Sequence, residues 1–282
     1  MSAVLVVEAT GPLALLQDLG RPGFAHLGVS PSGAADRTAH RLANRLVGNP
    51  ENAATVEVAL GGLRVRTTTI LFVAVTGAPS TLRVDGVPTA SHATLALAPG
   101  SRLTIDPPPH GLRSYLAVRG GFAAPAVLGS RSRDVLAGLG PTPLAAGDAL
   151  AVGTPTLPLP DTDRAPAPVP QTTLTVRPGP RRDWFPDHAW ATLRSSTWTV
   201  STALDRVAVR LVGPPLARQT TDELPSEGLV RGAVQVPASG QPLIFGPDHP
   251  VTGGYPVIAV LTATAGDHAG QLRPGDRIRF AG

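Results

Sequence analysis

The chain carries 282 residues and a formal net charge of +4, and all 24 of its basic side chains are arginine, none lysine. That composition excludes a Schiff base with pyridoxal phosphate or a carbonyl substrate, a P-loop lysine and biotinylation of the chain itself, while the absence of cysteine excludes thiol nucleophiles, thiolate-bound zinc, iron–sulfur clusters and disulfides. The pI of about 10.8 reflects two tyrosines and no other side chain titrating between neutrality and pH 12; with the arginines spread along the chain, nucleic acid is not an expected partner.

The N-terminus, Met1 to Glu8, has no basic leader and meets a carboxylate after a few apolar residues, so it reads as a first strand and not a signal peptide. The longest apolar run, Ile70–Ala78, is strand-length and too short for a bilayer, so no membrane partner is expected and the default compartment is the cytoplasm. With 31 Gly and 31 Pro there is little room for long helices, and Ala3–Val7, Ile70–Val75, Tyr115–Val118, Leu174–Val176 and Val257–Leu261 read as strands. One helix is expected from Ser32, capped by Pro31-Ser32, with Ala35, Ala39, Leu42, Ala43 and Leu46 on one face and Asp36, Arg37, His40, Arg41 and Asn44 on the other, ending at Gly48-Asn49-Pro50. Thr154–Thr172 is proline-rich without apolar periodicity and reads as an exposed connector.

Across that connector the chain resembles itself. Ser32–Leu42 aligns with Ser201–Leu211 at seven of eleven positions, Glu57 follows the first copy and Glu227 the second, and Leu-x-x-Gly-Asp closes each half at Leu144–Asp148 and Leu272–Asp276. The expectation is a duplicated, mainly β fold with a few short helices: residues 1–153 as one domain with an insertion around 120–140, 154–172 as linker, and 173–282 as the second domain.

No nucleophile elbow is present, and the seven histidines are scattered singly, so no metal site is expected. Gln17-Asp18-Leu-Gly20-Arg21-Pro22-Gly23 suits either recognition of a polar ligand or an Asx turn with an ion pair. Arg119-Gly120-Gly121 and Thr252-Gly253-Gly254-Tyr255-Pro256 offer backbone N–H groups to an anion, or simply tight turns. Glu57, opposite Val56 and Val58 on its strand, and Glu227 read either as carboxylates of raised pKa for proton transfer or as ion-pair partners, Arg37 or Arg41 with Glu57 and Arg206 or Arg210 with Glu227.

The ordered set Gln17-Asp18-Leu-Gly-Arg-Pro-Gly, Pro31-Ser-Gly-Ala-x-Asp-Arg, Leu42-Ala-Asn-x-Leu-Val-Gly-Asn-Pro50, Glu57-x-x-Leu-Gly-Gly, Tyr115-Leu-Ala-Val-x-Gly-Gly-Phe, Leu128-Gly-Ser-Arg-Ser-x-Asp134, Ser226-Glu-Gly, Gln235-Val-Pro-x-x-Gly-Gln-Pro242 and Thr252-Gly-Gly-Tyr-Pro256 resembles the biotin-dependent carboxyltransferase-like family. That family includes the C subunit of 5-oxoprolinase and the carboxyltransferase region of urea amidolyase. The sequence departs from the family pattern at Ala35 and across Phe245–His249, the latter adjoining the expected site.

The resemblance implies two cyclophilin-like β-barrels and the role of the C subunit in an ATP-dependent 5-oxoprolinase, opening 5-oxoproline to glutamate together with its A subunit and a KipI-like B subunit. ATP would be shared with those partners, and biotin would ride on another chain. The expected catalytic residues are Asp18, Arg119 and Glu227. Substrate binding is expected from Gln17, Arg21, Ser32, Arg131, Gly253, Gly254 and Tyr255: the arginines for a carboxylate or phosphoryl group, the glycine N–H groups for charge developing on the lactam oxygen. The alternatives are carboxyl transfer to urea or a related amide from carboxybiotin on another chain, and a non-catalytic regulatory role beside a KipI-like protein.

Overall fold

The computed structural model describes residues 4–220 and 222–282; Met1–Ala3, including Ala3 at the head of the first expected strand, lie outside them. The chain forms two compact units. The first comprises Met1–Arg21, Asp36–Asp134 and Gly138–Val169, the second Pro22–Ala35, Val135–Ala137 and Pro170–Gly282.

In the first unit β1 (Val4–Thr10) and β2 (Leu13–Gln17) precede α1 (Arg37–Leu46), which is followed by β3 (Thr55–Ala59), β4 (Leu63–Thr67), β5 (Leu71–Gly77), β6 (Thr81–Val84), β7 (Val87–Ala90), β8 (Thr94–Leu97), β9 (Arg102–Ile105), β10 (Arg113–Val118) and β11 (Ala149–Ala151). They form two antiparallel sheets in the orders β11-β1-β4-β9-β6-β7 and β2-β3-β10-β5-β8. The sheets share one apolar core. In β4 the alternation is strict: Leu63 and Val65 are buried among Leu5, Val7, Leu103 and Ile105, while Arg64 and Arg66 are exposed. Strand β10 is buried along its whole length because it is central in its sheet and α1 packs over it.

The helix differs from expectation at its start. Ser32 (φ 54°) and Gly33 (φ 95°) are left-handed, so no helix begins there, and Asp36 is the cap, its carboxylate accepting from Ala39 N–H at 2.9 Å. The face that carries Asp36, His40 and Asn44 is partly buried too. His40 Nδ1 lies 2.9 Å from Thr55 Oγ1, Asn44 Nδ2 donates to the Ala53 carbonyl at 2.8 Å, and burial pulls His40 down to a pKa of about 4. Glu57 is held from its own sheet: its cross-strand neighbour Tyr115 donates to it at 2.9 Å and Arg113 lies at 3.4 Å, while Arg41 is paired with Glu51.

The proline-rich stretch is exposed but not loose. Up to Val169 it belongs to the first unit, held where Thr94 N–H donates to the Asp163 carbonyl (2.7 Å), Ala165 N–H to His92 (2.8 Å) and Arg119 Nη2 to Leu157 (2.8 Å).

The second unit contains β12 (Thr173–Pro178), α2 (Asp187–Ser195), β13 (Trp198–Leu204), β14 (Ala208–Val212), β15 (Glu227–Gly228), β16 (Ala233–Gln235), β17 (Leu243–Phe245), β18 (Thr252–Gly253), β19 (Val257–Leu261), α3 (Ala263–Ala269) and β20 (Arg277–Ala281). Seven of these strands close into a barrel, β12-β19-β16-β17-β14-β13-β20, through the parallel pairing of β12 with β20. Trp198, Phe185, Leu211 and Ile258 fill it. Gly213 is required here, since a Cβ would lie 2.6 Å from the Trp198 ring. The chain is thus mainly β with three short α-helices among the described residues.

The repeat read from Ser32–Leu42 and Ser201–Leu211 is not a structural one. The first copy enters α1; the second is the β13–β14 hairpin, where Asp205 Oδ1 accepts from Val207 and Ala208 N–H at 2.7 and 2.9 Å. Aspartate caps helices and turns alike, so Asp-Arg followed by Ala and Arg-Leu is compatible with both. The Leu-x-x-Gly-Asp segments do correspond. Gly147 N–H donates to Val7 O and Val7 N–H to Asp148 O, as Gly275 does to Val200 and Val200 to Asp276, all at 2.8 Å. Each aspartate also accepts from the backbone N–H three residues earlier at 2.8 Å.

Candidate functional site

In the second unit β15 and β18 pair as a two-residue ribbon, Glu227 opposite Gly253 and Gly228 opposite Thr252. A Cβ on Gly253 would sit 2.8 Å from Leu229 Cδ1 and 3.0 Å from Gln235 Nε2, so a larger residue there would push the ends of both side chains aside. It carries Ser226 and Gly254-Tyr255 to the edge of an open cleft of about 700 Å³, also lined by Arg218 and by the irregular segment 222–225.

Among the described residues Arg218 is the only cation lining this cleft. Its guanidinium lies over the Tyr255 ring, 5.6 Å from the centroid, and Nη2 donates to the Val236 carbonyl, while Nε has no partner among the described residues. Burial pulls its pKa down, yet a guanidinium stays charged at neutral pH. A partly buried cation stacked on a half-exposed aromatic ring is suited to a small anionic or strongly dipolar ligand.

Glu227 stands beside this cleft but not as a raised-pKa carboxylate. Arg181 Nε reaches its two oxygens at 2.9 and 3.0 Å and Nη2 adds a further bond, which holds the carboxyl below its ordinary pKa. Its partner is neither Arg206 nor Arg210. The ion pair anchors the ribbon and leaves Glu227 a weak base.

Ser32 is fully buried. Its hydroxyl donates to Asp248 Oδ1 at 2.6 Å, Arg206 reaches Asp248 through Nε (2.8 Å) and Nη2 (3.0 Å), and Arg206 Nη2 also donates to the Gly33 carbonyl at 2.6 Å. Val135 N–H completes the set at 2.9 Å. Asp248, in the stretch that departs from the family pattern, therefore ties Ser32, Gly33 and Val135 into the second unit and does not line the cleft.

In the first unit Gln17, Asp18, Arg21 and Arg131 do come together. Asp18 accepts from Gly20 N–H (2.8 Å), Ser130 Oγ and Ser132 Oγ (2.6 Å each) and Arg131 N–H (2.6 Å). Arg21, 1% exposed, donates to the carbonyls of Val127 and Ser132, Gln17 Nε2 to Arg133 O at 2.8 Å, and Arg131 Nε to Ala124 O at 2.8 Å. These residues brace the segment 124–134, with the carboxylate saturated by donors, which is the Asx-turn alternative extended to a loop brace. Arg119 spends its guanidinium on the carbonyls of Val47 (3.1 Å) and Leu157 (2.8 Å).

The ten expected site residues therefore fall into separate places: Glu227, Gly253, Gly254 and Tyr255 around the cleft, Gln17, Asp18, Arg21 and Arg131 in a brace, Arg119 clasping two backbone carbonyls and Ser32 bound to the Asp248 carboxylate. Arg218 and Arg181 are not among the residues the sequence points to. No local pattern marks Arg218, which follows Gly213-Pro-Pro-Leu-Ala as a single arginine. Among the described residues no three His, Asp or Glu side chains are placed to hold a metal ion, and no helix is long and apolar enough to cross a membrane.

The chain belongs to the carboxyltransferase-domain family: the model for the carboxyltransferase domain, subdomains A and B, matches residues 27–282. It is 37% identical over 280 residues to the C subunit of the 5-oxoprolinase of Escherichia coli, covering 98% of this chain and 90% of that one. It is 34% identical to the C subunit of the 5-oxoprolinase of Haemophilus influenzae, covering 95% and 87%. The solved urea carboxylase of Kluyveromyces lactis superposes with a TM-score of 0.92 at 29% identity, over 99% of this chain and 27% of that larger one.

Proposed function

We propose that this chain is the C subunit of a 5-oxoprolinase, acting with the A subunit of that enzyme and a KipI-like B subunit, and that 5-oxoproline docks in the cleft walled by Arg218 and Tyr255. Near full-length similarity to two relatives named as C subunits of 5-oxoprolinase supports the assignment; the single observation that carries the site is the Arg218 guanidinium, stacked on Tyr255 and the one cation in the lining of the cleft among the described residues.

Opening the lactam adds one water across its C–N bond: the carbonyl carbon gains an oxygen and becomes a carboxylate, and the nitrogen departs as an amine. Negative charge gathers on the lactam oxygen as the water adds. The fixed N–H donors of Arg218 stabilise that charge, or hold the substrate carboxylate, with no reorganisation during the reaction. Ser226 and the backbone of Gly254 line the same space. Glu227, locked to Arg181, positions the ribbon and is not the proton carrier in this reading; Asp18, saturated within the first unit, is set aside for the same chemistry.

A triphosphate would bring several negative charges against Asp222 and Glu223 with only Arg218 to offset them, whereas one guanidinium balances the single carboxylate of 5-oxoproline, so the cleft favours the smaller anion. On this reading ATP is consumed in the assembled enzyme at residues of its other subunits. The test is reconstitution of the chain with the A and B subunits: glutamate release from 5-oxoproline and ATP is the expected result, and a complex that assembles yet releases none overturns the proposal.

Carboxyl transfer is the second reading, favoured by the family model and by the 31% identity to the urea amidolyase of Lachancea kluyveri, of which this chain spans 16%. Carboxybiotin would then be carried by another chain, since this one has no lysine to hold it. Transfer of labelled carboxyl from a carboxybiotinylated carrier to urea distinguishes it.

A further inference from the structure

We infer that Gln235 is the positioning residue of the cleft, holding Tyr255 and Arg218 together as one wall; the inference rests on that cleft being the substrate site. Gln235 closes β16, where the pairing with β19 shifts register between Val234 and Gln235. Such an irregularity re-aims a side chain out of the strict alternation of a strand. Gln235 is 4% exposed, and its Nε2 donates to the Tyr255 carbonyl at 2.8 Å.

The next residue completes the frame. Val236 N–H donates to the Pro256 carbonyl at 3.0 Å, and the Val236 carbonyl accepts from Arg218 Nη2. Two consecutive residues at the end of one barrel strand thus fasten both members of the cation–π pair. The amide is also pressed against the ribbon, since a Cβ on Gly253 would stand 3.0 Å from Gln235 Nε2. A carbonyl acceptor requires a donor, which an amide supplies and a carboxylate does not.

The chain's two tyrosines, Tyr115 fully buried and Tyr255 48% exposed, provide the readout. Ring-13C-labelled tyrosine gives two sets of signals, and Arg218→Gln identifies the one belonging to Tyr255. Gln235→Glu keeps the side-chain shape and removes the donor; Gln235→Leu serves as the second variant should the first fail to fold. Both are compared by this spectrum and by steady-state kinetics of the assembled enzyme with 5-oxoproline.

The expected result is a Tyr255 signal shifted toward its position in Arg218→Gln, with Tyr115 unmoved and KM raised roughly 10-fold at near-constant kcat. An unmoved Tyr255 signal in the folded variants overturns the inference. A shifted signal with unchanged KM upholds the positioning role and overturns the reading of this cleft as the substrate site, so the two failures are told apart.

Discussion

Arg206 and Asp248 form an ion pair 2% and 0% exposed, with Arg206 Nε at 2.8 Å, and the same carboxylate accepts from Ser32 and Val135. Removing one partner strands the other charge in a dry site, so Arg206→Met or Asp248→Asn should cost about 3–5 kcal/mol, whereas the apolar double variant Arg206→Met with Asp248→Leu should recover part of the loss. Urea unfolding followed by tryptophan fluorescence checks this, since all three tryptophans, Trp184, Trp190 and Trp198, lie in the second unit. A double variant no more stable than the singles would show that the pair's other hydrogen bonds matter more than its charge.

Substituting Arg218 tests the cleft itself. Arg218→Gln should lower kcat/KM for 5-oxoproline about 100-fold or more, equivalent to about 2.7 kcal/mol of transition-state stabilisation. Arg218→Lys should rescue little, because an ammonium lacks both the planar stack on Tyr255 and the fork of donors. The melting temperature should stay close to wild type in both, which circular dichroism verifies.

Asp18 should behave in the opposite way. With four donors converging on it, Asp18→Asn loses acceptor capacity and sets an amide N–H against groups that are themselves donors, at a cost of about 1–3 kcal/mol in stability. The protein that folds should keep its kcat. A soluble, stable variant without turnover would return Asp18 to the catalytic set.

His40 supplies a pH dependence whose sign follows from its lowered folded pKa. The neutral ring is buried at about pKa 4 against an unfolded value of 6.5, so the unfolded chain binds more protons between those values. Stability contributed by this group is complete above pH 6.5 and is lost progressively as the pH falls toward 4, up to about 3 kcal/mol. Urea midpoints measured from pH 7.5 to 4.5 should fall more steeply in wild type than in His40→Gln. Parallel slopes would show that His40 is not the group responsible.

How far the chain can be read from its residues depends on the range of the interactions concerned. The strands Ile70–Val75, Tyr115–Val118 and Val257–Leu261 are legible because each is a run of apolar residues bounded by turn formers. The start of α1 is read five residues early because Pro31-Ser32 looks like a cap, whereas Asp36 is the cap in use. Only the left-handed backbone at Ser32 and Gly33, held by Arg206 and Asp248 from far along the chain, decides between them. Charge partners are misread for the same reason. Glu57 finds Arg113 and Tyr115, and Glu227 finds Arg181, at separations no local pattern encodes. At the cleft the Thr252–Pro256 turn stands out by its glycines, whereas Arg218 reaches Tyr255 from an irregular segment that carries no signal of its own.

The membership of Pro22–Ala35 in the second unit also governs how the protein is made. Ser32, Gly33 and Ala35 leave the ribosome early, yet their partners Arg206, Arg231 and Asp248 follow well over a hundred residues later. At roughly 5–20 residues per second, that segment waits on the order of ten seconds or more before it can be tied down. A fragment beginning in the proline-rich stretch would be born without it. The second unit is therefore completed by a piece of chain that the nascent first half must keep out of its own fold until synthesis is nearly over.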